Sequence, residues 1–267
     1  MTLISKRSWH NTWIRDEWDV RWTLIVVAVL YLAPAPVLAQ TEGEYLYSVT
    51  MLRAAPGYFT DLISALEESF ELNEEAGDQA PFWMRHSQGD QWDFLLIYPM
   101  GDYASYYSLD RIRQRASVWE SARGLALTNR LAELTSYTEE WFSRSVTIDE
   151  MQRRYDGMGF FHIEFFAGLP GKREELIEQR RMESRFYEYL DRQQNVMFVR
   201  EAGSNWDVMT IGFHESLQTF AAAGNLHSEA EQDEAAKAAG FKGVGDIGPY
   251  LRSLLSYHHD TLAVSVW

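Results

Sequence analysis

Short aromatic and β-branched runs alternate along this chain with longer segments of helical spacing, and the alternation happens twice. Residues 45–52 and 160–166 read as strands, each closed by a turn carrying Pro56-Gly57 or Pro170-Gly171. Beyond the first turn, Phe59, Leu62, Ile63, Leu66 and Phe70 fall on one helical stripe, and Leu176, Ile177, Tyr187 and Leu190 repeat it more weakly among charges. Asp61, Glu174 and Glu175 occupy the first helical turn, where a carboxylate meets the positive end of the helix dipole. Residues 82–86 and 196–200 read as strands, joined through hairpin signals at 88–90 and 203–205 to strands 92–98 and 206–213. Helical segments over about 103–136 and 217–257 and last strands over 141–146 and 262–267 complete each set. The order is βαββαβ twice, which places the chain in the α+β class as two ferredoxin-like units.

The two sets match at a constant offset. Pro56-Gly57 and Pro170-Gly171, Leu62-Ile63 and Leu176-Ile177, Gly89 and Gly203, Trp92-Asp93 and Trp206-Asp207, and Ile97 and Ile211 are each 114 residues apart. Near the end of each unit the offset becomes 120, as Ser136-Tyr137 against Ser256-Tyr257, and the extra residues are expected in the glycine-rich stretch 240–248. A duplicated unit fixes architecture ahead of any local propensity. The units are placed at 40–153 and 154–267, with the polar stretch 147–157 as linker. A sheet with helices on one face leaves its other face bare. Two copies can cover each other's bare faces within one chain, or each chain can pair with a second.

The aromatic first strand, the Pro-Gly turn that opens the helix and the Gly-x-x-Trp-Asp hairpins at 89–93 and 203–207 resemble the dimeric α+β barrel superfamily. That superfamily includes NIPSNAP-type proteins, antibiotic-biosynthesis-type monooxygenases, haem-degrading monooxygenases and relatives of chlorite dismutase. The resemblance spans nearly all of the chain after residue 39. It implies a fold and a cavity, because its motifs are topological and its members include enzymes and proteins without known chemistry.

An apolar run at 23–33 follows Lys6, Arg7, Arg15 and Arg21 and precedes Pro34, Pro36 and Val37-Leu38-Ala39. A basic stretch, an apolar core and a small-residue cleavage site predict a signal peptide over 1–39, and hence a periplasmic or secreted protein. The apolar run falls well short of the roughly 20 residues of a membrane-spanning helix. The chain has no cysteine, which excludes thiol chemistry, thiolate metal sites and disulfides. Its net charge of −15 argues against nucleic acid and anionic lipid as partners.

Strand alternation separates two faces. Val49, Met51, Leu95, Ile97, Ile163, Phe165, Met209 and Ile211 share one parity and are expected under the helices. The other parity carries Ser48, Thr50, Trp92, Phe94 and Tyr98, then His162, Glu164, Trp206 and Thr210, with Trp141, Ser143, Ser145, Ser265 and Trp267 on the last strands. This mixed set is expected to line a space between the two sheets, with Trp92, Tyr98, Trp141, Trp206 and Trp267 packing on a flat ligand. His162 and Glu164, two apart on a strand, point the same way and read as a base and its orienting partner; the alternative is a hydrogen-bonded structural pair. Within His258-His259-Asp260, neighbouring side chains diverge and no second cluster has ligand spacing, so no metal site is predicted. No nucleophile elbow, phosphate loop, dinucleotide fingerprint or H-E-x-x-H motif occurs.

Three functions compete. The first is an exported small-molecule-binding or stress-related protein that holds an apolar or aromatic molecule, as a monomeric pseudo-dimer or a homodimer, with no cofactor. The second is a cofactor-independent monooxygenase acting on an aromatic substrate, as the resemblance implies for some members. The third is a haem-binding protein with His258 or His259 as the single axial ligand.

Overall fold

A computed structural model describes residues 43–223 and 226–266. The leader reading at 1–39 and the site residue Trp267 lie outside the described residues. The first repeat runs β1 (Tyr45–Ala54), α1 (Phe59–Glu75), β2 (Phe82–Gln88), β3 (Phe94–Gly101), α2 (Tyr103–Tyr106), α3 (Leu109–Trp119), α4 (Ala122–Leu134) and β4 (Thr135–Ser145). After α5 (Ile148–Tyr155) the second runs β5 (Phe160–Gly168), α6 (Arg173–Tyr189), β6 (Val196–Ala202), β7 (Val208–His214), α7 (Leu217–Ala222), α8 (Glu229–Ala239), α9 (Ile247–Leu254) and β8 (Leu255–Val264). No helix among the described residues is long and apolar enough to cross a membrane.

The eight strands close into one antiparallel barrel in the order β1-β3-β2-β8-β5-β7-β6-β4. Each repeat supplies a four-stranded sheet, and the seams are β2 with β8 and β4 with β6. The bare faces therefore cover each other inside a single chain. Where the two halves meet, the repeated glycines explain themselves. Gly89 has φ +114° and a Cβ there would lie 2.7 Å from the Asp260 carbonyl oxygen; Gly203 has φ +99° and a Cβ would lie 2.7 Å from Trp141 Cα. The repeated aspartates that follow serve the same hairpins: Asp93 Oδ2 accepts from the Ala54 N–H and Asp207 Oδ2 from the Gly168 N–H, each at 2.8 Å.

The barrel interior is built from Val49, Met51, Leu95 and Ile97 of one half and Ile163, Phe165, Met209 and Ile211 of the other, with Tyr47, Phe161 and Phe198 among them. This reverses the expected assignment of faces for β1, β3, β5 and β7, whereas Trp141, Ser143 and Ser145 of β4, opposite Val49, Tyr47 and Tyr45, face the interior as expected. The interior of a closed eight-stranded barrel is just wide enough for side chains to fill, so the most apolar parity packs there, each such side chain contributing roughly 1.5–3 kcal/mol on burial. The more polar parity then faces the helices, at the outside of the molecule. Leu62, Ile63, Leu66 and Leu72 on α1 cover Phe94 and Leu96 in the first half, and Leu176 and Ile177 on α6 cover Phe166 and Val208 in the second.

Two further expectations change. The linker is helical as α5, because Thr147 caps its first turn and Met151 is buried against the barrel. The extra residues of the second repeat precede α8 and not the stretch 240–248. Tyr103 and Leu217 open α2 and α7 at offset 114, whereas Ser108 and Ser228 already precede α3 and α8 at offset 120.

Candidate functional site

In the first half the sheet and its helices leave a cavity of about 390 Å³. Strand register builds its floor: Ser48 lies opposite Tyr98, Thr50 opposite Leu96 and Glu140, and Leu52 opposite Thr138. Leu66, Ser69 and Asn73 of α1, Trp119 of α3 and Leu131 of α4 complete the walls. The apolar part of this lining offers flat and branched surfaces to a ring. The polar part is equally present, with Thr50, Ser69, Asn73, Thr138 and Glu140 beside Ser48 and Tyr98. Thr50 Oγ1 donates to Glu140 Oε1 at 3.5 Å, while among the described residues the Ser48 and Tyr98 hydroxyls have no hydrogen-bond partner. Burial first, then the nearby Glu140 charge, push the Tyr98 phenol well above its ordinary value, so it remains a hydroxyl donor. At the rim, Asp78 is held by Arg111 Nη2 at 2.6 Å and by Arg115 Nε and Nη2 at 2.7 and 2.9 Å. Arg115 also lies over the Tyr106 ring, 3.5 Å from its centre, which fixes this edge of the opening.

The same positions in the second half carry larger and charged groups. His162 stands where the first half has Ser48, Glu164 where it has Thr50, Asp260 where it has Glu140, and Arg180, Glu183 and Tyr187 where it has Leu66, Ser69 and Asn73. They bond to one another. His162 Nε2 lies 2.6 Å from Asp260 Oδ1; Glu164 accepts from Thr210 Oγ1 at 3.1 Å and faces His258 Nε2 at 3.4 Å. Arg180 pairs with Glu183, which accepts from the Tyr187 hydroxyl at 2.9 Å. Burial opposes charge on His162, yet the Asp260 hydrogen bond and the Glu164 field outweigh it and raise its pKa. Burial likewise opposes charge on Glu164, but the His258 hydrogen bond and the His162 and Arg180 fields hold its carboxyl below the ordinary range.

His162 and Glu164 thus share a face as expected, but it is the helix-facing one. Each has a partner of its own, Asp260 for His162 and Thr210 with His258 for Glu164. Sequence reasoning missed Asp260 and Arg180, although the break in the repeat at 48 against 162 and at 50 against 164 pointed to the place. Tyr98 lines the first-half cavity. Trp92, Trp141 and Trp206 lie between the two sheets as expected, in the barrel interior and at its end, away from Tyr98. Trp141 packs edge-on to Phe165 and Trp206 stacks on Tyr257, with ring centres 6.0 and 5.0 Å apart.

Trp92 and Trp206 also border an opening of about 460 Å³ at that end. Most of its charged and hydroxyl groups are paired among themselves. His259 joins Asp90 to the Tyr257 hydroxyl, and Glu139 accepts from Tyr137 and Ser204, both at 2.6 Å. The Trp92 and Trp206 indole N–H groups are buried without a partner.

Neither His258 nor His259 is set as an axial haem ligand. The His258 ring lies flat on Phe166, 4.7 Å between centres, with Nε2 turned to Glu164, and both His259 nitrogens are engaged. No histidine lines the first-half cavity.

No protein-family model matches the chain, and no curated protein matches it. Among solved structures, it is similar to an anthrone oxidase-like protein at 14% identity and TM-score 0.50, covering 87% of this chain and 95% of that one. It is also similar to a candidate monooxygenase from Lactobacillus acidophilus at 5% identity and TM-score 0.45, covering 83% and 93% of the two chains. A NIPSNAP family protein from Agrobacterium tumefaciens matches at 16% identity and TM-score 0.31, covering 42% of this chain and 96% of that one. These likenesses concern the fold alone. With a closed eight-stranded barrel made by two ferredoxin-like repeats, the chain has the dimeric α+β barrel fold, both halves of the pseudo-dimer being parts of one polypeptide.

Proposed function

We propose that this protein binds a small, flat, partly apolar molecule in the sheet–helix cavity of its first half. One observation carries the reading: the Ser48 and Tyr98 hydroxyls, without a hydrogen-bond partner among the described residues, stand in a cavity whose apolar wall is made by Leu52, Leu66, Leu96, Leu131 and Trp119. Such a lining orients a ring that bears an oxygen. The hydroxyls donate to that oxygen, Glu140 accepts from a phenolic proton, and the apolar walls take the ring faces. The basic, apolar and small-residue pattern at 1–39 supports a leader removed on export, so that the protein works in the periplasm or outside the cell.

A second reading, oxidation by molecular oxygen without a cofactor, is favoured by the Glu140 carboxylate beside the Tyr98 hydroxyl. Glu140 would take the phenolic proton and leave an electron-rich phenolate for oxygen to attack. A phenol and one O2 then give a quinone and one water, the substrate supplying all four electrons. Trp119 quenching on titration with phenols and quinols, run beside an oxygen electrode, tests both. Binding should weaken roughly three- to tenfold in Tyr98→Phe, the worth of one hydrogen bond. Oxygen uptake lost in Glu140→Gln with binding retained selects the oxidase. Binding without uptake selects the carrier, and a panel with no saturable quenching rejects the cavity as a binding site.

A further inference from the structure

The second half carries a donor set that the first half lacks. His162 Nε2, Glu164 and Asp260 each present one ligand atom, and these atoms all lie within 4.8 Å of one another. β5 supplies His162 and Glu164 on one face. β8 adds Asp260 and, two residues away on the same face, His258, whose Nε2 is 3.4 Å from Glu164 Oε1. Two imidazoles and two carboxylates so arranged are the mixed nitrogen and oxygen set of a first-row transition metal.

We propose that His162, Glu164, Asp260 and His258 bind one divalent transition-metal ion, of the zinc, manganese or iron(II) class, between the second-half sheet and α6. Ligands about 2.1 Å from a metal lie about 3 Å from each other, and the two imidazole–carboxylate separations, 2.6 and 3.4 Å, bracket that figure. The charge balances. Arg180 is matched by Glu183, which leaves the two carboxylates to neutralise a divalent ion when both imidazoles are neutral. Outer contacts fix the ligands: Thr210 holds the second oxygen of Glu164, and Phe166 stacks on His258. Entry is open, since the Asp260 side chain is 58% exposed while that of Glu164 is 12%. The equivalent positions of the first half, Ser48, Thr50, Thr138 and Glu140, contain one carboxylate and no imidazole. The set is therefore a departure from the repeat, and it shares no residue with the first-half cavity.

The test uses the whole chain, freed of metal with a chelator and titrated with Co²⁺ alone at about pH 8, above the ordinary histidine range. The visible d–d absorption should saturate at one equivalent and be displaced by Zn²⁺. Removing an outer contact of a metal ligand costs 10–100-fold in affinity, so His162→Ala and Asp260→Asn should each weaken binding at least about 100-fold. Glu164→Gln, nearly isosteric, should do the same with an unchanged far-ultraviolet circular dichroism spectrum. Folded wild type that gives no d–d band at millimolar Co²⁺, or a band equally strong in the His162→Ala, Asp260→Asn double variant, would overturn the proposal.

Discussion

His162 and Asp260 make the second half sensitive to pH, and the signs can be worked out. The pKa of His162 is raised in the folded protein, so its stabilising share is complete below the ordinary histidine value and fades as pH climbs through the folded value. Asp260 is lowered, chiefly by its hydrogen bond from His162, so its share is present above the ordinary carboxylate value and fades as pH falls through the folded one. Asp260→Asn should therefore depress the melting temperature more near pH 5.5, below the ordinary histidine value, than near pH 9. Because Asp260 is largely exposed, the loss should be about 1 kcal/mol or less. Equal losses at both pH values, followed by calorimetry, would mean that the pair is not ionic. His162 and Glu164 were legible as breaks in an otherwise even repeat. Asp260 was not, because the helical reading ran to 257 and the last strand was expected from 262, which left 258–260 in no element.

Turns and caps decide the behaviour of individual elements. Gly203→Ala puts a side chain on a left-handed backbone and drives it into the backbone of Trp141, so a loss of about 1–3 kcal/mol is expected in urea unfolding. Gly57→Ala also sits at positive φ but meets nothing within 4 Å, and should cost clearly less. A Gly203→Ala loss no larger than that of Gly57→Ala would show that the seam between β4 and β6 is loosely packed. The Gly-x-x-Trp-Asp hairpins were readable because their glycines, tryptophans and aspartates each meet a geometric need that both halves share. The starts of β4 and β8 were not readable. No residue from Thr135 to Glu140 is fully buried, so the stretch carries no apolar period of two to set it apart from the helix before it.

Period-two alternation identifies two faces of a strand, but only closure of the whole barrel says which one is inside. Chain-wide, the repeat predicted two covered sheets, and the fold has them. On β1, β3, β5 and β7 the assignment of faces came out reversed because nothing local distinguishes a sheet–sheet interface from a sheet–helix one. Closure also predicts mutual dependence of the halves. Expressed alone, the first repeat would expose Val49, Met51, Leu95 and Ile97 as one apolar surface. In sedimentation it should self-associate or precipitate, and a well-folded monomer would contradict a shared interior.

The two halves of one fold have diverged, the first keeping an open space where the second is filled by charged side chains. Isothermal titration of the wild type and of Ser48→Phe with 1-naphthol, a flat phenol, tests this most directly. Phenylalanine at 48 rises from the cavity floor into the space where a ring would lie, and leaves the barrel interior untouched. Saturable binding to the wild type that disappears in Ser48→Phe, with both proteins equally folded, is the predicted result. Binding of equal strength in the two would place the ligand outside the first-half cavity.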